Sequence, residues 1–120
     1  MRAVTGARAN LRRGEVEAEL DGTRRVLCLT LGALAELETA FAVVDLGGLA
    51  ERFSSGRLKA GDMIAIIAAG LRGGGNLLSD DDVAAMSVDG GLAGYARIVG
   101  DLLQATFGTA DAGRADTPNP

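Results

Sequence analysis

From Glu15 to Leu20 the chain alternates acid and apolar residues, EVEAEL. This places Val16, Ala18 and Leu20 on one face of a half-buried strand and Glu15, Glu17 and Glu19 on the other. Asp21-Gly22 follows, the dipeptide best suited to the positive φ angles of a two-residue hairpin turn, and TRRVLCL supplies a return strand. In that register Leu20 faces Thr23, and Glu19 faces Arg24 as an opposite-charge pair. An isolated hairpin is marginal in water, so helices are expected to cover its apolar face.

From Thr30 the period becomes helical. Thr30 is a suitable cap, and Leu34, Leu37, Phe41 and Val44 fall within about 80° of one another on a helical wheel, which predicts a helix to about Val44. Glu36 points away from that stripe, and Glu38 sits at its rim, where a carboxylate snorkels to water. Gly47-Gly48 reads as a break, and LAERFSSG as a short helix with Leu49 and Phe53 inward, ended by Gly56. The segment from Leu58 to Arg72 has almost no polar face. Ile64, Ile67, Ala68 and Leu71 form one side, and Met63 and Ile66 cover much of the rest, the pattern of a buried central helix.

The next stretch, LRGGGNLLSDDDVAAM, joins two features that suggest chemistry, a glycine cluster and an aspartate cluster. Gly73, Gly74 and Gly75 follow a helix, so their amides lie at its negative end, where an anion is disfavoured. A phosphate loop of the Walker kind also needs Lys and Ser or Thr beside its last glycine, and Asn76 stands there. Helix termination is expected instead, with Gly73 or Gly74 in the left-handed cap conformation. Ser79 reads as an N-cap, Asp82 as its capping-box partner, and Asp80 and Asp81 as complements to the helix dipole. Successive helical residues diverge by about 100°, so three adjacent aspartates do not converge on one ion.

Asp89, Gly90 and Gly91 open a last helix, Leu92 to about Phe107. On its wheel Leu92, Tyr95, Ala96, Val99, Leu102, Leu103, Thr106 and Phe107 fill an arc of roughly 140° that is expected to pack on the core. Ile98 lies about 40° outside that arc, next to Leu102, and is expected to leave an apolar rim for a partner helix. Tyr95, Ile98 and Leu102 are therefore the candidate partner-binding residues. The fold class is α+β, mostly helical, with an N-terminal hairpin packed on about five short-to-medium helices. The expected organisation is a disordered basic arm over 1–13, a single domain over 14–107 and a disordered tail over 108–120.

Composition narrows the function. The 120 residues hold 48% apolar but only 3% aromatic side chains and no Trp, so the core must be built from Leu, Ala, Ile and Val. Acids outnumber bases by 16 to 12, for a net charge of −4, which argues against nucleic acid as the main partner. The charge is uneven: Arg2, Arg8, Arg12 and Arg13 precede the first acid, whereas seven aspartates follow Ser79 against Arg97 and Arg114. Cys28 is the only cysteine, so no internal disulfide forms, and its place in a strand predicts an inert buried thiol in a reducing compartment. There is no His to partner a nucleophile and no second group of metal ligands, so no catalytic, cofactor or metal site is expected. Met1 to Arg13 has no signal-peptide core, and the longest apolar run, MIAIIAAGL, is less than half of a membrane span, consistent with a cytoplasmic protein.

In order and spacing, GEVEAELDG, TLGALAELE, LAERFSSGRL, IIAAGLRGGG and LSDDDVAAM resemble the gene transfer agent family of phage tail assembly chaperones, encoded among tail genes of gene transfer agents and related prophages. The resemblance spans about Gly14 to Phe107. It implies a non-enzymatic protein of tail morphogenesis that binds the tape measure protein, helps tail tube subunits polymerise around it, and is not retained in the particle. No motif of the family marks a binding residue. A structural tail component is the alternative it leaves open, and a small enzyme is a weaker one.

Overall fold

The hairpin forms as its turn dipeptide predicts. In the computed structural model, which describes residues 14–41 and 47–108, β1 (Glu15–Leu20) and β2 (Thr23–Cys28) pair antiparallel with Leu20 opposite Thr23. Asp21 and Gly22 have φ of 55° and 79°, the two left-handed positions the turn requires. The ion pair on the outer face differs from expectation: Arg24 bonds Glu17 at 2.6 Å, not Glu19 directly opposite. Diagonal neighbours lie within reach of a long side chain, and the long arginine takes one. Cys28 also differs. It ends β2 on the same outward face as Glu15, half-buried and outside the core.

Five α-helices follow: α1 (Leu31–Phe41), α2 (Gly47–Ser54), α3 (Ala60–Gly73), α4 (Asp80–Ala84) and α5 (Leu92–Leu103), with α5 continuing as a π-helix over Gln104–Gly108. Thr30 caps α1 by accepting from the Ala33 amide at 3.1 Å. Gly47 and Gly48 begin α2 rather than break the chain. The expected arm over 1–13, the end of α1 near Val44 and all but Gly108 of the expected tail lie outside the described residues.

α3 is the centre. Ile66 to Leu71 are all buried, and α1, α4, α5 and β2 pack around it, while β1 lies on α5. The core joins the inner face of the hairpin (Val16, Leu20, Leu27) to Leu37, Val83, Val99 and Leu102.

The glycine cluster ends α3, but not as expected. Gly73 is still helical and Gly74 has φ −87°; the left-handed residue is Gly75, with φ 97°. The Asn76 amide reaches back to the Leu71 carbonyl and the Gly75 amide to that of Arg72, a Schellman pair of bonds. Gly73 and Gly74 serve a different need. A Cβ on either would fall within 3.0 Å of a β2 carbonyl oxygen, Cys28 O for Gly73 and Val26 O for Gly74. The helix end thus rests directly on the outer edge of β2, where Asn76 Nδ2 also donates to Val26 O at 2.8 Å.

Candidate functional site

Three helix ends meet at one end of the helical layer, the start of α3 and, further along the chain, the end of α4 and the start of α5. The first turns of α3 and α5 and the end of α4 enclose an open groove of about 230 Å³ lined by Ala60, Met63, Ile64, Val83, Ala84, Met86, Gly91, Leu92 and Tyr95. Its walls are almost wholly apolar. Leu92 stands 64% exposed at the rim, one of three large apolar side chains that remain solvent-facing among the described residues, with Leu31 and Leu77.

Local chemistry holds the groove open. Ser79 and Asp82 form the expected capping box, with the Asp82 amide donating to Ser79 Oγ at 3.0 Å and the Ser79 amide to Asp82 Oδ2 at 2.9 Å. That fixes the start of α4 and seats Val83 in the core. Tyr95 on α5 donates its hydroxyl to Met86 O at 2.5 Å, tying α5 to the end of α4. Burial and the nearby Asp21 carboxylate push the Tyr95 phenol above its ordinary value. The hairpin turn closes the assembly, because the Asp21 amide donates to Ser87 O at 2.7 Å.

That last bond places an acidic recess beside the groove. Glu19, Asp21 and Asp89 line it together with Gly22, Ser87 and Val88. The segment from Met86 to Gly91 contributes to both depressions, Met86 and Gly91 to the apolar groove and Ser87, Val88 and Asp89 to the anionic recess.

Of the candidate partner-binding residues, Tyr95 lines this groove, half-buried. Ile98 and Leu102 do not reach it: they are 6% and 0% exposed. The expected rim at Ile98 is absent because β1, α2 and α3 all pack on α5, covering more than the arc read from its wheel. Leu92, expected to pack on the core, is instead the exposed residue. An Ile98→Glu variant is accordingly expected to lower the melting temperature rather than leave folding unchanged, as thermal denaturation would register.

The aspartates diverge. Asp82 caps, Asp81 is exposed, and Asp80 pairs with Arg72 at 3.3 Å. Arg72 also bonds Glu36 at 2.6 Å and the Leu78 carbonyl at 2.8 Å, linking α1, α3 and the start of α4. The hydrogen bond to Glu36 is the largest influence raising the Arg72 pKa. Replacing Asp80 and Asp81 together by Asn is expected to cost about 1 kcal/mol or less in urea denaturation, since each exposed contact with a helix start contributes about 0.3–1 kcal/mol. The same variant is expected to match the parent in calorimetry with a divalent cation; lost ion binding would make the cluster a metal site.

The capping box carries a pH signature. The backbone and side-chain bonds with Ser79 hold the Asp82 pKa below its usual 3.8. Folding stability from this group is therefore present above about pH 3.8 and is lost as pH falls through the lower folded value. An Asp82→Asn variant is expected to show a shallower decline of melting temperature below pH 3.8 than the parent.

A model of the family described as "Phage tail tube protein, GTA-gp10" matches residues 13–109. The chain belongs to this family. Membership makes it a gene transfer agent or phage tail protein, and the matched span contains every residue of the groove and the acidic recess. No significant match was found among curated proteins or solved structures. Among the described residues, no helix is long and apolar enough to cross a membrane.

Met63, Met86 and Leu92 were not singled out as site residues in the sequence. Met63 and Leu92 read as core by helical periodicity and Met86 was assigned no face, and only the convergence of α3, α4 and α5 makes the three a surface.

Proposed function

We propose that the protein is a non-enzymatic, cytoplasmic tail assembly chaperone that binds the tape measure protein and assists polymerisation of the tail tube. The observation that carries this reading is the open apolar groove between three helix ends, within a domain that family membership assigns to tail proteins. A groove of about 230 Å³ is smaller than the roughly 300–1,000 Å³ of small-molecule sites, and it is open to solvent, which suits the side chains of a docking helix. Extended helical clients present such side chains at every turn.

The test is coexpression with the tape measure protein of the same gene cluster, followed by pull-down. Capture of that protein, with the chaperone missing from purified particles, supports the reading. A second reading, a structural component of the tail tube, is favoured by the family description itself. Stoichiometric presence in purified particles, without tape measure capture, would establish it instead.

A further inference from the structure

We infer that the groove and its adjoining recess form one bipartite docking surface for a basic amphipathic helical segment, with apolar side chains entering between α3, α4 and α5 and a Lys or Arg reaching Glu19, Asp21 and Asp89. The inference rests on the chaperone reading and names the chemistry of the client segment and where it docks.

Continuity is the first argument. Met86 and Gly91 line the apolar groove, and Ser87, Val88 and Asp89, between them in sequence, line the recess. Tyr95, in the groove, bonds Met86 O, and Asp21, in the recess, bonds the next carbonyl, that of Ser87, so the two depressions are tied to adjacent residues of one short segment.

Charge is the second. The start of α5 contributes about half a positive charge at Gly91, against three carboxylates at the recess. The anionic sum prevails. Among the described residues, Arg24 is engaged by Glu17 on the outer face of the hairpin. Lys59 precedes Ala60 in sequence but lines neither depression, so the charged lining residues are the carboxylates of the recess, and they set where a basic side chain binds.

The adaptable wall is the third. Met63 and Met86 both line the groove, and methionines repack around different aliphatic shapes. That tolerance suits a client whose sequence varies along its length.

The probe is a synthetic amphipathic peptide with leucines at i and i+4 and lysines one turn further on, compared with the same peptide carrying glutamates in place of lysines. Calorimetry with the full chain at low salt is expected to show the lysine peptide binding about tenfold tighter or more, with the preference shrinking at high salt. Leu92→Glu, at an exposed position, is expected to weaken it about tenfold or more with the melting temperature unchanged. Asp21→Asn combined with Asp89→Asn keeps the turn, because Asn accepts the left-handed conformation, and is expected to remove the preference for lysine over glutamate. Equal binding of both peptides, no binding of either, or parent-like binding by Leu92→Glu overturns the inference. So does peptide binding that emerges only after deletion of residues 1–13, which would make the chain's own basic segment the occupant. The two readings separate cleanly. Tape measure capture that survives Leu92→Glu leaves the chaperone role standing and removes the groove, whereas lysine-peptide binding at the groove without tape measure capture does the reverse.

Discussion

Gly74→Ala is expected to cost about 3 kcal/mol or more, a large share of the roughly 5–15 kcal/mol that stabilises a small domain. The added Cβ would meet Val26 O and lie 2.7 Å from Val26 C, and both are backbone atoms of a paired strand that has no rotamer with which to yield. Relief requires α3 to lift from β2. That would also break the Asn76 side-chain bond to Val26 O and the Arg25 bond to Asn76 Oδ1, 3.1 Å long. Gly75→Ala separates this packing effect from backbone strain. Gly75 has φ 97° but nothing within 4 Å of its would-be Cβ, so only the left-handed conformation costs, about 1–2 kcal/mol. Gly61→Ala, at an open helical position, is expected to be neutral or stabilising by up to about 1 kcal/mol. Urea denaturation of the three variants would rank them. Equal small losses at Gly74 and Gly75 would mean that the helix end stands clear of the strand.

That ranking marks where reading the sequence stops. The hairpin, its register, the Thr30 cap and the Ser79 capping box were legible because each depends on residues within a few positions of one another, and turn and cap chemistry is local. The glycine cluster was half legible. Termination of α3 is a local property, but the demand for two residues without Cβ at Gly73 and Gly74 arises from β2, some 50 positions away in the Asn76 to Val26 bond. Arg72 is similar: its partner Glu36 lies 36 residues off, and no spacing rule connects them. The candidate site was least legible. A helical wheel assigns Ile98 and Leu92 by angle alone, yet which side of α5 is covered depends on β1, α2 and α3 together. Leu92 escapes because it sits in the first turn, where α4 ends and leaves the groove. Tyr95 was found since its position serves both faces, an apolar ring in the groove and a hydroxyl bonded to Met86.

Ile67→Asp is expected to unfold the domain. Ile67 is 0% exposed within the layer formed by α3 and its neighbours, and a carboxylate there has no partner. It must either remain charged among aliphatic side chains or take up a proton, and each route costs several kcal/mol on top of the lost apolar burial. Ile67→Val is the control, expected to cost only about 0.5–1.5 kcal/mol with a cooperative transition retained. One turn earlier on the same side of α3, Ile64 opens into the groove and is half-buried. Ile64→Asp has access to water and is expected to cost less than Ile67→Asp while still folding cooperatively. The pair locates the boundary between core and docking surface along one helix. Thermal melts followed by circular dichroism would decide it: a cooperative Ile67→Asp transition near the parent temperature would mean that this side of α3 is a surface, and equal unfolding of both variants would mean that the groove is closed in solution.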